Sequence, residues 1–195
     1  MATLEPKAML LRYLQRGREA MLWKLDGASE YDVRRPLTPT GTNLLGLVKH
    51  LASVEFGYFG DTFDRPSGEP LPWFEDGAEP NADMWVPADQ SRQDIVDLYH
   101  RAWAHADATI AALPLDAVGH VPWWGENGEV SLQHILVHMI AETDRHAGHA
   151  DIVRELIDGA AGLRSDVDNL GLGAGNGQAW ADHRDRLEAS AQQFR

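Results

Sequence analysis

His134, His138, Glu142, His146 and His149 follow one another at intervals of four, four, four and three residues. Those intervals return a side chain to one face of an α-helix, which turns about 100° and rises about 1.5 Å per residue. Glu142 and His146 therefore lie roughly 6 Å apart along one face. A carboxylate and an imidazole one turn apart are a way for one helix to offer two ligands to one metal ion. A third ligand from the same ladder is harder to direct, because His138 and His146 are about 12 Å apart along the axis. Either His138 or His146 is then the outsider. His149 could add a fourth ligand, but reads better as a hydrogen-bond partner of a ligand or as a dimer contact. Asp144 points roughly 160° away from His146 and is a weak ligand by spacing. The competing reading is an exposed face on which Glu142 bonds Arg145 or His146 and metal has no part. Asp151, Arg154, Glu155 and Asp158 read as ion pairs at the same intervals.

A third ligand has to come from elsewhere in the chain. His50 stands in Leu47-Val-Lys-His-Leu-Ala-Ser-Val-Glu55, three residues after Leu47 and four before Val54, at the border of an apolar stripe. A lone histidine there is as a rule a hydrogen-bonded boundary residue; beside a ligand-spaced helix it gains weight. His100 and His105 read as solvated, and His120 and His183 have no partner motif. Trp23, Trp85 and Trp103 are expected to pack, while Trp123 and Trp124, in a loop just before the fourth helix, either pack as well or lid a pocket. There is no His-Glu-x-x-His, no Gly-x-Ser-x-Gly, no phosphate loop and no dinucleotide fingerprint. Gly171–Gly177 is glycine-rich, but no strand precedes it and it holds no lysine.

Four helical patterns carry these residues, at about 6–26, 43–63, 91–113 and 131–158. Pro6 suits a first turn and Gly27 a stop. Thr42 or Asn43 and then Ser91 suit N-caps, Pro114 ends the third pattern, and Gly159 closes the fourth. No strand-like alternation competes with them. A long link, about Asp64–Gln90, is rich in Pro, Gly and acids, and a second link carries Pro122-Trp-Trp-Gly125. Residues 160–195 form a tail with a short helix at about 179–192. The 195 residues suffice for one domain with a full core, and 44% hydrophobic content excludes wholesale disorder. The chain has no cysteine, which excludes disulfides, thiolate metal sites and a cysteine nucleophile, so any metal must be held by His, Asp or Glu. A net charge of −13 argues against nucleic-acid binding. No apolar run suggests a membrane span and no signal peptide opens the chain, so a cytoplasmic protein is expected.

Leu47–Glu55 together with the run His138-Met-Ile-Ala-Glu142-Thr-Asp-Arg-His146-Ala-Gly-His149-Ala-Asp151 resembles the DinB/YfiT-like superfamily, and within it the mycothiol-transferase-like branch related to mycothiol-dependent maleylpyruvate isomerase. The resemblance covers most of the chain and is weakest in the tail. It implies an all-α four-helix bundle with long crossover loops and a homodimer. It also implies a metal site with one histidine from the second helix and a pair from the fourth. Aligned on His146-Ala-Gly, that site becomes His50, Glu142 and His146, with a carboxylate where the commonest pattern has a third histidine. His138 is then packed or beside a ligand, and Asp144 with Arg145 would help orient substrate. Two histidines, one glutamate and an open position suit Zn²⁺ in catalytic sites, and the same set could hold Ni²⁺ or Fe²⁺. The expectation is a divalent-metal-dependent S-transferase joining mycothiol or a similar low-molecular-weight thiol to an electrophilic small molecule. The rivals are a metal-dependent hydrolase and a non-catalytic, stress-related dimeric bundle.

Overall fold

In a computed structural model, residues 5–167, 170–173 and 175–195 are described. The architecture is all-α, a four-helix bundle with long crossover links. Its main helices are α1 (Pro6–Trp23), α3 (Leu44–Phe59), α4 (Arg92–Ala112) and α5 (Leu132–Asp158). A short α2 (Glu30–Arg34) follows α1, and α6 (Gly177–Ala191) lies in the tail. The expected boundaries of the four long helices hold within a turn. The first ends three residues early, at Trp23, and the second gives way at Gly60 to a single 3₁₀ turn, Asp61–Phe63. Two features depart from the sequence expectation. One is α2, capped by Ser29 through the backbone N–H of Asp32. The other is a hairpin of three-residue strands, β1 (Val118–His120) and β2 (Glu129–Ser131), in which Gly119 faces Val130. Both are too short for a periodic pattern to develop in sequence.

Cap chemistry sets the helix starts. The Asn43 side chain accepts from Gly46 N at 2.8 Å, Ser91 and Asp94 form a reciprocal capping box, and Ser131 accepts from His134 N. Gly159, at φ 79°, closes α5 in the left-handed conformation that glycine adopts without a Cβ penalty. The core is continuous along α3: Leu47 and Leu51 pack with Met21, Tyr99 and Val153 toward one end, and Phe59 packs with Leu14, Ile110, Ile135 and Met139 toward the other. A Cβ at Gly17 would stand 2.9 Å from Thr143 Cγ2, so that glycine permits α1 to approach α5 closely.

The long link is pinned rather than loose. A Cβ on Gly46 would fall 1.8 Å from Met84 O, so only glycine lets the 3₁₀ turn Ala82–Met84 lie against α3. Asn43 Nδ2 donates to Met84 O (3.0 Å). Lys49 Nζ donates to Ala82 O and Trp85 O (2.7 and 3.0 Å) and lies 4.1 Å from the centre of the Trp73 ring. Trp85, expected in the core, is half exposed. His105, expected in solvent, packs on Phe56 at 5.9 Å. Among the described residues no helix is long and apolar enough to cross a membrane.

Candidate metal centre

The side chains of His50 on α3 and of Glu142 and His146 on α5 converge. One donor atom from each lies within 4.8 Å of the other two. Glu142 Oε1 is 3.0 Å from His146 Nε2 and 3.4 Å from His50 Nε2. The two imidazole rings meet edge to face at 4.9 Å. All three side chains are largely shielded, with 17%, 25% and 12% exposure for His50, Glu142 and His146.

A residue that the sequence reading did not single out completes the arrangement. His50 Nδ1 is 2.6 Å from Asp83 Oδ2, on the turn that Gly46, Asn43 and Lys49 hold against α3. A carboxylate at that nitrogen accepts its N–H, so that in the neutral ring it is Nε2 that carries the lone pair on the Glu142 side. Nothing in the sequence separates Asp83 from the other acids of the link; its position follows from the tight Gly46–Met84 approach. At the other ligand, His149 Nδ1 lies 3.4 Å from His146 Nδ1, in keeping with the hydrogen-bonding role expected for His149. His138 is the outsider, packed against Tyr58 at 4.6 Å and Trp124 at 5.0 Å.

The electrostatics belong to one coupled group. Burial opposes a charge on His50, but the Asp83 hydrogen bond and charge, joined by Glu142, outweigh it and raise its pKa. Burial lowers His146, and the neighbouring His50 charge lowers it further. Burial favours the neutral form of Glu142, yet His146 and His50 hold its carboxyl below the usual range. Asp83 is likewise held low, burial being outweighed by His50.

The donor set fits a divalent ion. With bonds of about 2.0–2.2 Å, a tetrahedral ion spans donors about 3.3–3.6 Å apart. Of the two separations to Glu142 Oε1, 3.4 Å falls inside that range and 3.0 Å just below it, and all three donors lie within 4.8 Å of one another. Two neutral imidazoles and one carboxylate leave a divalent ion with one net positive charge, which Asp83 offsets from behind His50. Three protein donors also leave a position open.

Asp144 and Arg145 are not brought to this cluster. The Asp144 carboxylate faces α1: a Cβ on Gly17 would stand 3.0 Å from its Oδ1. It lines a separate cavity of about 540 Å³ with Tyr13, Arg16 and Asp151. Burial raises its pKa against the opposing charge of Arg16. Arg145 is exposed. The intervals that bring Glu142 and His146 together turn residues 144 and 145 toward other faces of α5.

Trp123 and Trp124 stand on the 3₁₀ segment Pro122–Asn127, at the end of α5 from which the histidine ladder starts. Both rings contact Tyr58, at 5.1 and 5.8 Å. Trp123, with Val54, Tyr58 and Phe74, lines a cavity of about 440 Å³.

A family model described as mycothiol-S-transferase matches residues 9–159, a span that contains Asp83 and all three donors and stops at the end of α5. No curated protein matches the chain. A solved structure of a conserved protein from Enterococcus faecalis superposes with a TM-score of 0.58, covering 80% of this chain and 98% of that one. At 18% identity that likeness is one of fold.

Proposed function

The chain belongs to the mycothiol S-transferase family, and from that premise we propose that it is a divalent-metal-dependent S-transferase. It would join the sulfur of mycothiol, or of a similar low-molecular-weight thiol, to an electrophilic small molecule. The observation that carries the metal dependence is the convergence of His50 Nε2, Glu142 Oε1 and His146 Nε2 within 4.8 Å. A divalent ion there, with Zn²⁺ expected, supplies Lewis acidity that favours thiolate over thiol at neutral pH. The residues do the rest. Asp83 holds the His50 ring and its tautomer, so that Nε2 stays an acceptor. Glu142 contributes the one negative donor. His149 steadies the His146 ring from the solvent side. The reaction is a substitution: the thiol proton is lost to solvent, an S–C bond forms, and the bond from that carbon to the leaving group breaks with its electron pair departing on that group. The absence of cysteine agrees with a sulfur supplied by the cosubstrate.

The test has two parts. Calorimetry and elemental analysis should find one divalent ion per chain in the wild type and none retained by His146→Ala after dialysis. With metal bound, loss of free thiol should require both thiol and electrophile. Product formation from an ester or amide without thiol would instead identify a hydrolase, and absence of stoichiometric metal would remove the proposal.

A further inference from the structure

The face of α3 that presents His50 continues past the metal centre. Val54, Gly57 and Tyr58 follow His50 at intervals of four, three and one residues, which keeps them on one side of the helix, and Asp61 opens the 3₁₀ turn that follows α3. They line the 440 Å³ cavity, whose opposite walls are Leu71 and Phe74 of the long link and Trp123 of the second link. Val54 is about 6 Å along the axis from His50 and Gly57 about 10 Å. On α5 the continuity is matched, since His138, one turn before Glu142, packs on the same Tyr58. Donors and cavity thus share α3 as a floor, with His138 of α5 packed against its Tyr58.

The walls offer little hydrogen bonding. Ser53, also at the cavity, has its hydroxyl engaged, donating to Lys49 O at 2.7 Å and accepting from Trp73 Nε1 at 2.9 Å. Trp123 Nε1 is spent on Tyr58 OH at 3.3 Å. The charged wall residue, Asp61, stands at the end remote from His50 and repels anions. Trp123 and Phe74 are large apolar side chains left 52% and 50% exposed, and both border this space. A Cβ at Gly57 would lie 2.9 Å from Trp123 Cη2, so the glycine is what lets the indole lie against the helix. The volume is that of a small-molecule site.

We infer that this cavity receives the uncharged aromatic body of the electrophile, with Trp123 as the wall that determines specificity, so that the reacting carbon is carried at the His50 end. The inference rests on the S-transfer reading for the word electrophile, but binding of an aromatic body does not depend on it.

The test therefore begins without thiol or metal. The metal-free protein is titrated with 2-naphthol and, separately, with naphthalene-2-sulfonate, following indole N–H resonances, with that of Trp123 assigned from Trp123→Phe. The neutral probe should shift the Trp123 resonance and bind at least about tenfold more tightly than the sulfonate. Trp123→Ala should weaken neutral binding by about tenfold, Gly57→Ala should weaken it by displacing the indole, and Trp123→Phe should largely restore it. Equal affinity in Trp123→Ala, or tighter binding of the sulfonate, overturns the inference. In the metal-loaded enzyme, Trp123→Ala should raise KM for an aromatic electrophile more than for a small aliphatic one. Probe binding without any thiol transfer would leave the cavity assignment standing and remove the S-transfer reading; transfer without probe binding would do the reverse.

Discussion

Two polar clusters are buried in the same bundle, and they are built on opposite rules. The first joins α1, α3 and α4. Arg18 grips Glu55 in a two-pronged pair, Nε to Oε1 at 3.0 Å and Nη2 to Oε2 at 2.7 Å, and reaches Asp107 at 2.9 Å. Arg18 and Glu55 are fully buried. Burial opposes the guanidinium charge, but Glu55 and Asp107 outweigh it and raise the Arg18 pKa. The second cluster joins α3 and α5 and has no such closure. His50 Nδ1 meets Asp83, while His50 Nε2 and His146 Nε2 both face a single oxygen, Glu142 Oε1. In the first cluster the protons belong to a guanidinium that never gives them up, whereas in the second the imidazole protons that face Glu142 are exchangeable and a divalent cation can take their place. Burial and charge alone do not separate a structural cluster from a ligand site; whether its protons can be surrendered does.

That contrast is broken most forcefully from the closed side. Replacing Glu55 by Leu leaves a fully buried guanidinium with the half-exposed Asp107 as its remaining carboxylate and Gln15 Oε1 as a neutral acceptor, and should cost about 3–5 kcal/mol of stability, read as a lower urea midpoint at unchanged slope. The double variant Arg18→Met with Glu55→Leu should recover most of the loss, because apolar replacement of a whole buried pair is often close to neutral. A loss under about 1 kcal/mol in the single variant would show that the pair is not the closed unit described. On the open side the expectation is inverted. His146→Ala should leave metal-free stability within about 1 kcal/mol of wild type, while metal affinity falls beyond about 100-fold, or about 2.7 kcal/mol. Adding metal at 100 times its Kd should stabilise the wild type by about 2.7 kcal/mol and chelator should remove that gain; the variant should respond to neither.

How far these clusters could be read in advance differs too. The four long helices were legible because apolar periodicity and cap residues agree over 16–27 residues in each. The pairing of Glu142 with His146 was legible because a helix fixes residues one turn apart. His50 was placed through family resemblance, since one histidine at a stripe border has no distinguishing period. Asp83 was out of reach: its position depends on a glycine at 46 admitting a backbone oxygen and on Lys49 donating to two carbonyls, contacts that leave no spacing in the sequence. For the same reason Glu55 gave no sign of its partner on α1. Asp144 and Arg145 came with the family resemblance, and the turn of α5 sets both away from the His50–Glu142–His146 cluster.

Asp83 sharpens the comparison at an intermediate scale. It touches no expected metal position, so Asp83→Asn removes only the orientation and charge support of His50. Loss of a hydrogen-bond partner behind a ligand typically costs about 10–100-fold in metal affinity. The direct ligand variant His146→Ala should therefore exceed it, and calorimetric titration of the two side by side checks the order. Equal effects would make Asp83 a ligand itself, and no effect would leave the 2.6 Å contact without consequence for the site.

The smallest effect is also the one that tells the two cations of the open cluster apart. In the metal-free protein the raised His50 pKa means that the fold holds a proton there more tightly than the unfolded chain does. That contribution is complete below the unfolded value of about 6.5 and is lost as pH rises through the higher folded value. The depressed carboxyls of Asp83 and Glu142 work at the other edge: their contribution is present above about 4 and lost as pH falls through their lower folded values. The depressed pKa of His146 acts against His50, removing stability as pH falls below about 6.5. Subtracting Asp83→Asn from wild type cancels most of the His146 contribution and isolates the His50 proton. The stability difference between the two metal-free proteins should therefore be larger at pH 5.5 than at pH 8.5, measured by urea unfolding. Metal affinity of the wild type should run the other way, rising with pH as the His50 proton is surrendered and released to buffer. A stability difference that grows with pH would mean that Asp83 does not hold a proton on His50, and that the open cluster is closed by some other group.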